Sequence, residues 1–396
     1  MKVALVTPKI NLETGGGSHY SLHLYAGGLR ALDVDVELYS LNRVAASAAD
    51  AFAASGVTVH DLGDLAEAEQ AERLVTVKAD VLFFDANVRL SYDVKRRAPA
   101  LRVGAHINTL SGFCTNLARQ QNDCWLSCSH PRRVAHHPGG ALARVVYLAR
   151  GAHTVAELGR GFRLLDGCVF PSPQTVDAYR LYRLDPAKCF VVPECLDLDW
   201  IGRFRAAPFR SSGGPLTVLY IGTLARYKGM PLLFEALRGL RIPWRARIYG
   251  DGDDRACVRA FAAEFPDRVD YRGHVTNARV FTELDGGDFL FVHPCLWFEA
   301  LGRGILEAMA LEIPVLVPDV GGPAWSVSPG VTGLQYRHRD ARDLARQIEW
   351  AAAHTGEMRR IAAAGRAAAS VYDYRTVAAQ WRQTLARIAG LETAHA

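Results

Sequence analysis

Long apolar runs are missing from this sequence. No stretch of its 396 residues reaches the roughly 18 apolar positions that a bilayer-spanning helix needs. The opening MKVALVTPKI reads as a strand from its third residue, without the length or small-residue cleavage site of a leader peptide. Cysteine is sparse, with 8 residues and no C-x2-C pair, so no secreted disulfide framework is indicated and the thiols are expected to be reduced. The expected location is therefore cytoplasmic. The strict dinucleotide fingerprint is absent too: Gly15-Gly16-Gly17 follows the first strand, but Tyr20 stands where the last glycine belongs. No acid ends the second strand, at Tyr39-Ser40, to hold an adenosine ribose, which argues against a nicotinamide or flavin enzyme.

A large excess of one charge sign is missing as well, the net being only +5, but the charges are unevenly placed. Acids outnumber bases up to Asn87, whereas from Arg89 to Arg163 bases outnumber acids about four to one. Such a band is either a solvated face or a surface for an acidic acceptor or the inner face of the cytoplasmic membrane. It lacks aromatics interleaved with the arginines and any recognition motif, so nucleic acid is not an expected partner.

What is present is alternation. The length exceeds one hydrophobic core and suggests two domains. Strands are predicted at Val3–Pro8, Val34–Ser40, Val81–Asp85, Arg102–His106, Gly167–Pro171 and Phe190–Pro193, with a helix over Ser18–Leu32. The polar stretch PFRSSGGPL, from Pro208 to Leu216, reads as the linker. The pattern then restarts with strands at Thr217–Gly222, Arg245–Gly250, Val269–Arg272, Phe289–His293 and Pro314–Pro318, and ends in amphipathic helices. The expected fold class is α/β, two doubly wound parallel-sheet domains facing a cleft. Their bounds are 1–205 and 206–375, with a C-terminal helix over 376–396 returning to the first domain.

Chemistry concentrates at strand ends of the second half. Glu299 and Glu307 sit eight residues apart in FEALGRGILEAMA, directly after the apolar FLFVHP. Glu299 falls in a strand-to-helix turn and Glu307 on the helix, the edge where open parallel sheets bind ligands. In isolation, two acids at this spacing read equally as a cap and a solvated helix acid. YIGTLARYKG places Arg226 and Lys228 after another strand, where cations can neutralise a diphosphate. Gly250-Asp251-Gly252 and Gly321-Gly322 are further strand-end turns, so four strand ends converge on one crevice. Separately, Cys114, Cys124, Cys128 and His130 cluster at a spacing near that of a zinc site, but without a C-x2-C pair the favoured reading is a reduced, partly buried loop and no metal.

These residues resemble a known family. FEALGRGILEAMA is similar to the E-x7-E motif of retaining GT-B glycosyltransferases of the large family 4, the glycosyl transferases group 1. YIGTLARYKG resembles that family's G-x-L-x-x-x-K-G segment, IYGDGDD its G-x-G turn, and EIPVLVPDVGGP with GVTGL its later glycine region. In the first half TGGGSHYSLHLYAGGLRAL resembles the N-terminal glycine loop, and VGAHIN places His106 at the family's strand-end histidine. Two departures stand out: Thr223 occupies a position where many relatives carry arginine, and Glu194-Cys195 replaces an Asn-Gly pair.

The resemblance implies a UDP- or GDP-sugar donor, no metal or other cofactor, and a hydroxyl acceptor. That acceptor would be a glycan, a lipid-linked glycan or a cell-envelope polysaccharide precursor. It implies that Glu299 and the N–H groups of Leu301, Gly302 and Arg303 bind the donor sugar, while Glu307 binds the ribose. Lys228 and Arg226 would hold the diphosphate, with Gly16 and Gly17 approaching it from the other domain. Gly222, Thr223, Gly250, Gly252, His274 and Val275 would surround the nucleotide, and His106 would stand on the acceptor side. A silent nucleotide-sugar-binding subunit and a nucleotide-sugar epimerase are the alternatives on the same fold.

Overall fold

Apolar runs that must be buried on both faces become the central strands of parallel sheets. In the computed structural model, which describes residues 1–10, 12, 17–85, 88–108, 140, 145, 156–210 and 214–391, there are two such sheets. The first contains β1 (Lys2–Thr7), β2 (Asp35–Ser40), β3 (Thr58–Asp61), β4 (Val81–Asp85), β5 (Val103–His106), β6 (Gly167–Phe170) and β7 (Cys189–Val191), in the order β3-β2-β1-β4-β5-β6-β7. The second contains β8 (Leu216–Ile221), β9 (Trp244–Tyr249), β10 (Val269–Gly273), β11 (Leu290–Val292), β12 (Val315–Pro318) and β13 (Leu334–Tyr336), in the order β10-β9-β8-β11-β12-β13. All described pairings between these strands are parallel. Strand order reverses beside β1 in one sheet and beside β8 in the other, and at such a switch point the connections leave a crevice.

Alternation along each strand feeds two cores. In β8, Val218 and Tyr220 enter one apolar cluster and Leu219 the opposite one. Helix Met230–Arg238 covers the first cluster with Met230, Leu233 and Leu237. Helix Arg303–Ala310 covers the second with Ile305, Leu306 and Met309. Helices on both faces are what a doubly wound sheet requires.

The chain divides into two compact units at Glu194/Cys195 and Asp373/Tyr374. The segment read as a linker lies inside the second unit. Phe209 is buried in that unit's core, Arg210 N–H bonds Asp288 at 2.7 Å, and Arg359 bonds the Phe209 carbonyl at 2.9 Å. The chain crosses earlier, at 194/195.

In the first unit, helix Tyr374–Ala389 packs against helix Gly17–Ala31. Trp381, only 1% exposed, stacks on Tyr25 at 4.9 Å between ring centroids and meets Phe83 edge-on at 5.2 Å. Five of the seven described bases in the basic band are paired within this unit. Lys95 and Arg102 bond Asp166, Arg96 and Arg97 bond Asp93, and Arg160 bonds Glu157. Among the described residues no helix is long and apolar enough to cross a membrane.

Candidate functional site

The carboxyl ends of β8 and β11 are neighbours in the second sheet, at its switch point. After β8 the chain tightens into a 3-10 turn, Arg226–Lys228, and after β11 it loops through residues 293–302 before helix Arg303–Ala310. Backbone bonds tie the two loops together: the Leu296 N–H donates to the Tyr227 carbonyl at 2.8 Å. Gly229 permits this approach. It adopts φ +79°, and a Cβ there would stand 1.9 Å from the Pro294 carbonyl oxygen. Gly322 does the same beneath the other loop, where a Cβ would lie 2.0 Å from the Ala300 oxygen, and its N–H donates to the Glu299 carbonyl at 2.9 Å.

The loops so held bring Lys228 Nζ into a hydrogen-bonded ion pair with Glu299 Oε2. Both side chains are largely buried, 18% and 15% exposed. The same carboxylate oxygen accepts from Trp297 Nε1 at 3.1 Å, and Cys295 Sγ and His293 Nε2 lie 3.9 and 3.8 Å from it. Burial alone would push the Glu299 carboxyl up, yet Lys228 and then His293 outweigh it and hold Glu299 at about 2. Burial likewise opposes charge on Lys228, and the Glu299 carboxylate overrides it, so the ammonium titrates above its usual range. His293, pushed down by burial to about 4, is neutral at physiological pH. Cys295 is pushed up by burial to about 12 and is an inert thiol. His293, Cys295 and Glu299 are also close enough to ligate a metal ion, but the Lys228 ammonium already occupies the carboxylate.

A desolvated lysine–carboxylate pair is a poor source of stability, because removing both charges from water offsets most of their attraction. Its place at the strand ends beside the switch point, with both groups strongly shifted, makes it the candidate functional pair.

The other expected residues take these positions. Glu307 lies on helix Arg303–Ala310 and accepts from Arg303 Nε at 2.8 Å, while Arg303 Nη1 bonds the Cys195 carbonyl at 2.5 Å. Arg226 is exposed in the 3-10 turn, and Asp254 feels its charge. The exposed Thr223 offers its carbonyl to Tyr220 Oη at 2.9 Å. The N–H groups of Gly222, Gly250 and Gly252 bond within the fold, to Tyr249 O, Gly273 O and Asp251 Oδ1. His274 and Val275 follow β10, and Leu301 and Gly302 precede the helix that carries Glu307. All of these stand at the carboxyl edge of one sheet.

Two expected residues belong to the first unit. Gly17 opens its first helix. His106 ends β5, buried, with Nδ1 3.0 Å from Asp85 Oδ1 at the end of β4 and no described partner for Nε2. Gly16 and the cluster Cys114, Cys124, Cys128 and His130 lie outside the described residues. Sequence reasoning passed over Asp85, His293, Cys295 and Trp297. The signal for the last three was their packing into VHPCLWFE, immediately ahead of Glu299.

Residues 205–368 match the family model described as glycosyl transferases group 1. Among curated relatives, a GDP-mannose-dependent alpha-mannosyltransferase of Corynebacterium glutamicum is 32% identical over 142 residues, covering 35% of this chain and 32% of its own length. The D-rhamnosyltransferase WbpZ of Pseudomonas aeruginosa is 29% identical over 185 residues, covering 45% of this chain and 47% of its own. The matched regions thus span less than half of either relative. Among solved structures, Anabaena HepE in complex with UDP aligns over 98% of this chain and 100% of its own at TM-score 0.72 and 16% identity, a likeness of fold. The segment 205–368 belongs to the glycosyl transferases group 1, and the chain that carries it has the GT-B fold, two Rossmann-like units each built on a parallel sheet.

Proposed function

We propose that the chain is a retaining glycosyltransferase that moves a sugar, a hexose in the simplest case, from a UDP- or GDP-sugar to a hydroxyl of a glycan or glycolipid acceptor. The desolvated Lys228–Glu299 pair, set at the switch point inside the group 1 segment, carries this reading. The names of the relatives support the class: one is GDP-mannose-dependent, and HepE was solved with UDP.

In this reading the donor's diphosphate draws Lys228 toward itself, and Arg226 adds charge from the same turn in place of the arginine that Thr223 displaces. Preorganised cations stabilise the negative charge that grows as the bond from the anomeric carbon to the phosphate oxygen breaks. Glu299 and the backbone N–H groups of Leu301, Gly302 and Arg303 hold the sugar hydroxyls. Glu307 holds the ribose, and Gly222, Thr223, Gly250, Gly252, His274 and Val275 frame the nucleotide. His106, in the first unit, is the residue this reading assigns to the acceptor. The acceptor oxygen bonds to the anomeric carbon on the face the phosphate leaves, and its proton passes to the departing phosphate oxygen. No protein carboxylate base enters, and the reading calls on no metal ion.

A panel of UDP-, GDP-, ADP- and dTDP-sugars tests it, by donor hydrolysis and by transfer to glycan acceptors with and without chelator. Preference for one nucleotide sugar, with the anomeric configuration kept and turnover surviving chelation, is the expected result. Binding without turnover points to a silent subunit, turnover of donor into an isomer to an epimerase, and no preference over free sugars overturns the reading.

A further inference from the structure

Every described contact to the Glu299 carboxylate ends on one oxygen. Oε2 takes Lys228 Nζ and Trp297 Nε1, and at 3.9 Å the weak thiol donor Cys295 Sγ, which lies closer to the Tyr227 carbonyl at 3.5 Å; His293 Nε2 is 3.8 Å away, while Oε1 has no described partner. The carboxylate is therefore gripped by one edge and presents the other.

The two strong donors on Oε2 are not equivalent. Lys228 is a flexible cation, and a diphosphate in the crevice is a stronger partner for it than a single carboxylate. Trp297 is fixed: its ring packs on Tyr227 at 4.8 Å between centroids, with Lys228 Nζ 5.5 Å above its own centroid. Tyr227 in turn accepts the Leu296 N–H at 2.8 Å, which anchors the loop carrying Trp297 to the 3-10 turn carrying Lys228. His293 cannot replace the lost donor, since its Nε2 stands 3.8 Å away and the ring is neutral. When Lys228 turns to a diphosphate, the indole N–H is the strong donor left on Oε2, since the Cys295 thiol is a weak donor that lies nearer the Tyr227 carbonyl.

We infer that Trp297 is the positioning residue of the donor-sugar site: its indole N–H fixes Glu299 through Oε2, so that Oε1 is the oxygen that accepts a donor-sugar hydroxyl. The inference rests on the proposed donor reading and names the residue that keeps Glu299 in register once Lys228 is engaged elsewhere. Trp297 itself does not touch the reacting atoms.

Trp297→Phe is the discriminating variant, because phenylalanine keeps the ring packing on Tyr227 and deletes only the N–H. With the sugar nucleotide that the wild-type protein turns over, the variant is expected to lose at least about tenfold in kcat, the worth of a hydrogen bond to a charged group. Affinity for UDP or GDP alone, which does not involve Glu299, is expected to stay within about twofold, as is the unfolding midpoint. In a Glu299→Gln background the same substitution is expected to change turnover by less than about twofold, since its effect passes through the carboxylate. A wild-type kcat in Trp297→Phe, or an equal loss in both backgrounds, overturns the positioning role. Failure of the wild-type protein to turn over any sugar nucleotide overturns the donor reading instead, so the two failures are distinct.

Discussion

Arg303 bonds Glu307 through Nε at 2.8 Å and the Cys195 carbonyl through Nη1 at 2.5 Å, its side chain only 8% exposed. Glu307 is thus both the proposed ribose partner and the counter-charge of a buried guanidinium. Glu307→Ala should weaken UDP or GDP binding about tenfold. It should also lower the unfolding midpoint, because an uncompensated buried charge costs about 3 kcal/mol or more. Glu299→Ala should leave nucleotide affinity nearly intact and remove turnover. Calorimetric titration of both variants with UDP and GDP checks the division; equal losses of affinity contradict it.

Arg226 is exposed in the turn that carries Lys228. Replacing it with alanine should cost at least tenfold in turnover, about 1.4 kcal/mol of barrier. As a surface change it should move stability by no more than about 0.5 kcal/mol. Unchanged steady-state kinetics would remove Arg226 from the diphosphate site.

His293 sets a pH window for stability. Burial lowers its folded-state value to about 4, Glu299 opposing and Lys228 adding to the drop, while the unfolded chain titrates near 6.5. Between these values the unfolded state binds a proton that the folded state refuses. Stability is therefore full above pH 6.5 and declines as pH falls toward 4, by up to about 3 kcal/mol. Glu299, held at about 2 against a usual 4.5, extends the decline in the same direction below pH 4.5. In urea unfolding, the stability gap between wild type and His293→Asn should shrink steadily from pH 6.5 to pH 4. A gap independent of pH would show that His293 titrates alike in the folded and unfolded chains and would remove it from the pH dependence.

Gly229→Ala forces a Cβ to 1.9 Å from the Pro294 oxygen at φ +79°. Backbone strain and displacement of the loop should cost about 2 kcal/mol or more and pull Lys228 off its carboxylate, lowering turnover as well. Gly356→Ala is the matched control: it lies in helix Thr355–Ala369 with nothing within 4 Å of a Cβ, and should be neutral or slightly stabilising. Thermal melts of the pair, with kinetics of the first, decide the point.

Apolar runs made the central strands readable. FLFVHP became β11, and LTVLYI became β8, because strands buried on both faces have no room for polar residues. The edge strands β3 and β13 were not legible. TVHD is half exposed, and LQY is three residues long, too brief for any period to show. Glu299 and Lys228 could be placed at one sheet edge from sequence because each follows a readable strand. Asp85 beside His106, and Arg303 bound to Cys195, were not legible. Those contacts depend on strand register and on residues more than a hundred positions apart, which local pattern does not encode. The division at 194/195 was not legible either: Cys195 and Leu196 are buried and the Leu196–Tyr372 backbone bond covers them, so the stretch looks like ordinary core.

The helix Tyr374–Ala389 has a consequence for the order in which the protein is made. Its Trp381 is the lid on Tyr25 and Phe83, yet it leaves the ribosome only after residues 195–373 have been synthesised. The first unit is therefore the last to be completed, while the main segment of the unit inserted into it, Cys195–Asp373, is continuous in the sequence and free to fold first. Until the chain is finished, the earlier half carries an uncovered aromatic surface, the kind of surface on which nascent chains associate or recruit chaperones.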